Sequence, residues 1–307
     1  MDFFVLLTTM IQLFSLIIIG FYLRRKGHIG NEMMKQSSFL VANVMMPALI
    51  LYSSSTPSKI SQSEIIQSLL LGILLYVVFI LISKFVAHKT AHNHEDKALY
   101  QILLVFANVA FIGYPLLEVM YGSYAVFVFT IMHLPFNILI YTYGVYLLNK
   151  GKRSFRIKEY LRMFMTPGVI LSIVALVCFF IKAELPSFIV DVCGLLGGAT
   201  VPLSMIIVGA NLSFEGFAKN KETFALLKAV FVKMILFPLL GFGIVHFLDI
   251  SVFLQELFVF SFMLPSASMA LMLGMEYDVD TSVASRTISL TTLISVVSIP
   301  LFIFLLF

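Results

Sequence analysis

The sequence predicts an all-α integral membrane protein. The fold read from it has ten transmembrane helices, arranged as two inverted five-helix repeats with crossing broken helices four and nine. Three observations predict it. Of the 307 residues, 60% are hydrophobic and 12% charged, where soluble domains carry about 25% charged residues. Basic residues crowd every second loop. Two apolar runs, placed alike in the two halves, carry helix breakers at their middle.

A bilayer-spanning helix needs about 20 apolar residues. That length divides the chain into ten spans: Phe3–Leu23, Met33–Ser53, Ile65–Ala87, Ala98–Met120, Tyr124–Leu148, Met165–Ile181, Phe188–Leu212, Phe224–Leu248, Val252–Met275 and Val283–Phe307. The first follows Met1-Asp2 without a basic leader and is too long for the apolar part of a cleaved signal. It ends in Arg24-Arg25-Lys26, a membrane-edge anchor, and reads as a true span.

The loops orient the chain. In the loops after odd-numbered spans, or at the adjoining span edges, stand Arg24, Arg25, Lys26 and Lys35, then Lys84, Lys89 and Lys97. Lys150, Lys152, Arg153, Arg156, Lys158 and Arg162 follow, and finally Lys219 and Lys221. The opposite loops hold only Lys59 and Lys182. Odd loops are therefore expected in the cytoplasm and both termini outside, in a multi-pass protein of the cell membrane. The net charge of +4 reflects this topogenic bias and implies no nucleic-acid partner. The basic segment 149–162 reads as a linker against the inner leaflet, between repeats 1–148 and 163–307. His88, His92 and His94 read as a solvated loop with no metal site, and Cys178 and Cys193 as small apolar filler.

The halves resemble each other. Pro47 in span two and Pro202 in span seven stand in similar apolar settings, as do Val105-Phe106 and Val259-Phe260. Each half has five spans, and an odd number inverts the second copy in the membrane. Inverted repeats are a common construction of secondary transporters, with the site near the midplane.

Span four contains Asn108, Gly113, Tyr114 and Pro115; span nine contains Pro265, Ser266 and Ser268. An interrupted helix in lipid survives only where protein or a wet cavity satisfies its main chain. Pro115 is expected to open the second half of span four, with free amides at Leu116, Leu117 and Glu118. Pro265 is expected to do the same for Ser266, Ala267 and Ser268. Each such end carries about half a positive charge, so a carboxylate suits the space between them. Asn108 can hold a substrate oxygen or the broken backbone. Lys233, deep in span eight, can attract an anion or satisfy a broken helix end. Glu118 is a candidate for proton coupling, or a complement to a helix end. The chain has no HExxH, GxSxG or P-loop, and no cofactor is expected.

At these residues the sequence resembles the auxin efflux carrier family, whose bacterial members include malate and malonate transporters. The resemblance rests on Asn43…Pro47-Ala48-Leu49, Asn108…Gly113-Tyr114-Pro115-Leu116, Leu185-Pro186…Gly197…Val201-Pro202-Leu203…Gly209-Ala210-Asn211-Leu212, Lys233…Pro238, and Pro265…Ala270 with Tyr277-Asp278…Ala284. Thr166-Pro167 departs from the family's frequent Asn-Pro, and the long central loop of the plant carriers is missing. The resemblance implies a scaffold of spans one, two, six and seven through which the family can form homodimers. The other spans would move as an elevator. The expected substrate is a small organic anion, bound by Asn108, Gly113, Tyr114, Pro115, Pro265, Ser266, Ser268, Asn43 and Lys233, with proton or sodium coupling left open. The alternative is a sodium-coupled symporter of larger amphipathic acids, similar to the bile-acid symporters.

Overall fold

The described apolar runs fold as helices, some in two pieces, since only internal pairing satisfies a main chain in lipid. The computed structural model describes residues 3–55, 61–90, 94–149, 165–212, 221–277 and 279–306. In chain order the helices are α1 (Phe3–Arg25), α2 (Asn31–Ser55), α3 (Gln62–Thr90), α4 (His94–Val105), α5 (Val109–Tyr121), α6 (Ser123–Met132) and α7 (Leu134–Leu148). They continue as α8 (Pro167–Ile181), α9 (Ser187–Ala210), α10 (Thr223–Val245), α11 (Val252–Met263), α12 (Met269–Glu276) and α13 (Ser282–Leu306). Among the described residues, five helices are long and apolar enough to cross a membrane, or six if α6 and α7 form one bent span. No strand forms among them; one isolated antiparallel bridge joins Ala107 to Ser266. The expected linker 149–162 lies outside the described residues apart from Asn149, and so does His92.

Most of the prolines leave their helices continuous. A proline interior to a helix lacks a donor, and its ring strikes the carbonyl four residues back. Pro202 and Pro300 sit inside α9 and α13 directly, whereas before three other prolines a wider, π-type turn absorbs the ring. Val41–Met45 precedes Pro47, Val109–Gly113 precedes Pro115, and Val232–Leu236 precedes Pro238. This corrects the expected break at Pro115. Pro115 lies in the first turn after the wide one, within continuous α5, so the amides of Leu116, Leu117 and Glu118 belong to a helix interior. The break in span four lies earlier, at residues 106–108.

The chain divides into two compact units, each drawing on both halves of the sequence. The first comprises Met1–Gly72, Ala110–Asn137 and Leu161–Asn211. In it α1 lies along α9, and α2 packs against α6, α8 and α9. The α1–α9 approach depends on two glycines. A β-carbon at Gly20 would enter the carbonyl of Ile206, and one at Gly209 the carbonyl of Ile17. Thr166, the residue that departs from the family pattern, caps α8. Its hydroxyl accepts from the Val169 N–H at 3.4 Å, with Pro167 in the first helical turn.

The second unit comprises Ile73–Val109, Ile138–Tyr160 and Leu212–Phe307. Its core includes a phenyl cluster: Phe79 stacks on Phe237 at 5.0 Å between centroids and meets Phe262 edge-on at 4.8 Å. Phe258 joins Phe262 at 5.2 Å. Leu226, Val230 and Met234 of α10 pack against Leu290 and Ile294 of α13.

Candidate functional site

The second unit holds the breaks of spans four and nine. Helix α4 ends at Val105 and α11 at Met263, after which the chain runs extended; Leu264 has φ −68° and ψ 140°. The two extended stretches pass antiparallel and exchange main-chain bonds. Asn108 N–H donates to the Pro265 carbonyl at 2.8 Å, and Ala267 N–H donates to the Phe106 carbonyl at 2.9 Å. Each break thus supplies the partner that the other would otherwise take from water. An unpaired main-chain group buried in an apolar medium costs several kcal/mol.

The last carbonyls of a helix have no partner within it, and side chains complete α4. Ser266 Oγ donates to the Leu103 carbonyl at 2.8 Å, and Lys233 Nζ to the Leu104 carbonyl at 2.8 Å. The Ser266 N–H donates to Thr291 Oγ1 of α13 at 3.2 Å. The expected anion-binding amides of Ser266 and Ala267 are therefore not free. Pro265 does not open a helix: α12 starts at Met269, and the intervening residues pair with span four and α13 instead.

Lys233 is fully buried. It lies in the wide turn Val232–Leu236, which aims its side chain at the end of α4. The ammonium sits 4.8 Å from the Phe79 ring centroid and 5.2 Å from that of Phe237. Ring faces stabilise a cation by about 0.5–2 kcal/mol each, and the carboxyl end of α4 carries partial negative charge. No carboxylate pairs with Lys233 among the described residues. Its counter-charges are a helix end and two π faces.

The amino ends that can attract an anion are those of α5 and α12. Asn108, 4% exposed, directly precedes α5. Ser268, half-buried, precedes α12, and its hydroxyl makes no capping bond to that helix. A polar side chain thus stands at each positive end. The structure brings Asn108, Pro265, Ser266, Ser268 and Lys233 into this unit, around the paired breaks.

The remaining expected residues belong to the first unit. Asn43 lies in the wide turn of α2, its Nδ2 donating to the Phe39 carbonyl at 3.0 Å. Gly113, Tyr114 and Pro115 are buried in α5, and the Tyr114 ring meets Phe129 edge-on at 6.3 Å. Glu118 accepts a hydrogen bond from Ser123 Oγ at 2.7 Å on Oε1. Its Oε2 is buried with no partner among the described residues.

Sequence reasoning missed Thr291. The available signal was a file of hydroxyls at Thr287, Thr291, Ser295 and Ser298, three or four residues apart on one face of an apolar helix and all buried.

A family model described as membrane transport protein matches residues 5–303. An uncharacterized transporter of Methanocaldococcus jannaschii is 26% identical over 302 residues, covering 93% of this chain and 94% of the relative. An uncharacterized transporter of Methanothermobacter thermautotrophicus is 25% identical over 296 residues, covering 95% of this chain and 96% of the relative. With the match extending over nearly the whole length, this multi-pass membrane chain belongs to the membrane transport protein family, that of the auxin efflux carriers.

Proposed function

We propose that the protein is a secondary transporter of small organic anions, mono- or dicarboxylates such as malate, malonate or auxin-like acids. The observation that carries this reading is the pair of mutually bonded breaks with a buried ammonium beside them. At such a crossing the positive ends of α5 and α12 attract a carboxylate. The negative carboxyl ends of α4 and α11 would repel it. Lys233 neutralises the end of α4, so the local field favours an anion. Asn108 and Ser268 add side-chain donors at the two attractive ends.

In this reading the chain has ten spans in inverted repeats 1–148 and 163–307, joined by linker 149–162. Both termini lie outside, as the basic loops favour. Spans one, two, six and seven serve as the scaffold and the other spans as a moving transport domain of elevator type; the first compact unit contains that scaffold together with Ala110–Asn137. A homodimer through the scaffold completes the arrangement. Asn43, Gly113, Tyr114 and Pro115 keep their proposed part in substrate binding, and Glu118 is the candidate proton carrier. A sodium symporter of larger acids would place acidic ligands at the crossing. The charged group bonded there is a lysine, which favours the organic-anion reading.

The test is uptake of labelled carboxylates into proteoliposomes, with and without a sodium gradient. Asn108→Ala is expected to weaken substrate affinity by about tenfold, the effect of one lost hydrogen bond to a charged group, while the protein stays folded and monodisperse. Absence of flux for every carboxylate, or unchanged affinity in the variant, would overturn the reading.

A further inference from the structure

The break of span nine is held from a third side, by a helix to which the anion-transport reading gives no part. We propose that Thr291 of α13 is a positioning residue: its hydroxyl fixes the main chain at Ser266, and so sets the geometry of the crossing at which the substrate binds. The inference rests on the proposed transport function for its consequence, but not for its structural half.

Ser266 is 1% exposed and its two donors are both engaged. Its hydroxyl reaches the Leu103 carbonyl at 2.8 Å and its N–H reaches Thr291 Oγ1 at 3.2 Å. Ser266 therefore acts as a strut between α4 and α13 and not as a substrate ligand. Thr291 is fully buried, and its hydroxyl passes the bond on to the Thr287 carbonyl at 2.8 Å. The chain Ser266 N–H to Thr291 O–H to Thr287 C=O is polarised in one direction, so each bond strengthens the next.

The neighbouring residues show why this bond matters. Pro265 has no N–H, and its carbonyl is taken by Asn108. Ala267 is bonded to Phe106. Between them, Ser266 N–H is the main-chain donor that neither break can satisfy, because in the antiparallel pairing it points away from residues 106–108. Thr291 is the acceptor on that far side. Without it the strand at Ser266 can twist, and the twist passes to Ser268 and the start of α12 two residues on. Thr287, one turn away on the same face, is an internal control: its hydroxyl is buried and has no partner among the described residues.

The experiment uses the full-length protein in lipid nanodiscs. Hydrogen exchange is followed in peptides covering residues 103–108 and 264–269, and carboxylate uptake is measured in proteoliposomes. Thr291→Val keeps the shape and removes the acceptor. It is expected to speed exchange at Ser266 by at least about fivefold, and to raise KM by about tenfold while kcat stays within about twofold. Thr291→Ser restores both values. Thr287→Val changes neither. Thr291→Cys, with a weaker acceptor of similar size, gives an intermediate acceleration and serves if the valine variant does not fold.

Wild-type exchange in Thr291→Val overturns the inference. So does failure of Thr291→Ser to restore it, which would assign the effect to the methyl group, or equal acceleration in Thr287→Val, which would assign it to loosening of α13. Faster exchange with an unchanged KM overturns the link from the strut to binding. If the wild-type protein carries no carboxylate, the transport reading fails, and the exchange measurements alone decide whether Thr291 holds the break.

Discussion

Lys233→Met separates a functional ammonium from a structural one. The methionine nearly keeps the volume of the lysine, so no large cavity opens. The hydrogen bond to the Leu104 carbonyl is worth about 1.5–3 kcal/mol for a charged donor. The faces of Phe79 and Phe237, at 4.8 and 5.2 Å, add about 0.5–2 kcal/mol each. Against this stands the desolvation of a wholly buried ammonium, still several kcal/mol after relaxation. These terms are of similar size and opposite sign. Removing the charge should therefore shift unfolding stability by no more than about 2 kcal/mol, in one direction or the other. Transport should respond far more strongly. With the end of α4 uncovered, the crossing loses its one full positive charge, and carboxylate affinity should fall by at least about tenfold. Melting temperature is read in nanodiscs with and without substrate, since a ligand that binds the folded state raises it. A loss of more than about 4 kcal/mol in the variant, the penalty for breaking a buried pair, refutes this role for Lys233. The role is equally refuted if the melting temperature still rises with substrate as in the wild type.

Three further outcomes follow from the same geometry. Ala107 and Ser266 oppose each other across a bridge whose flanking bonds are 2.8 and 2.9 Å. Such a pair has Cα atoms about 4.5 Å apart, within disulfide range. In a background with Cys178 and Cys193 replaced by alanine, Ala107→Cys with Ser266→Cys should cross-link under mild oxidation, as seen by mass spectrometry. A control pair, Ala107→Cys with Ser289→Cys, should not. In the first unit, Gly20→Ala should separate α1 from α9, because the added methyl meets the Ile206 main chain. A loss of about 1–3 kcal/mol is expected from overpacking, read as a lower melting temperature. Gly198→Ala on α9 meets nothing within 4 Å and should be neutral.

Some features were legible because they depend on the solvent more than on neighbours. Apolar runs of bilayer length must become helices wherever water is absent, so the described apolar runs recur as helices or helix pairs. The break in span nine was legible too, because Pro265 cannot donate and its neighbours Ser266 and Ser268 favour irregular chain. The weight of Asn108, Lys233 and Ser266 was visible from their polarity in apolar surroundings, since a polar group there must find a partner. Which partner it found was not visible.

That choice belongs to the tertiary structure. Pro115 resembles Pro265 on paper, yet one sits in a continuous helix and the other in a gap. The difference is the wide turn Val109–Gly113, which absorbs the first proline, and the reciprocal bonds from Phe106 and Asn108, which hold the second stretch open. The break at residues 106–108 carries no proline or glycine, so local preference could not place it there. It exists because another extended segment lies alongside to complete its hydrogen bonds. In the same way Lys233 became the cap of a helix end 129 residues away in sequence, and Thr291 the acceptor for a break 25 residues earlier. Composition and periodicity fixed which residues had to be removed from lipid and which needed partners. Only the packing of distant segments determined the pairings, because a hydrogen bond between remote residues depends on where the chain returns and not on what stands next to it.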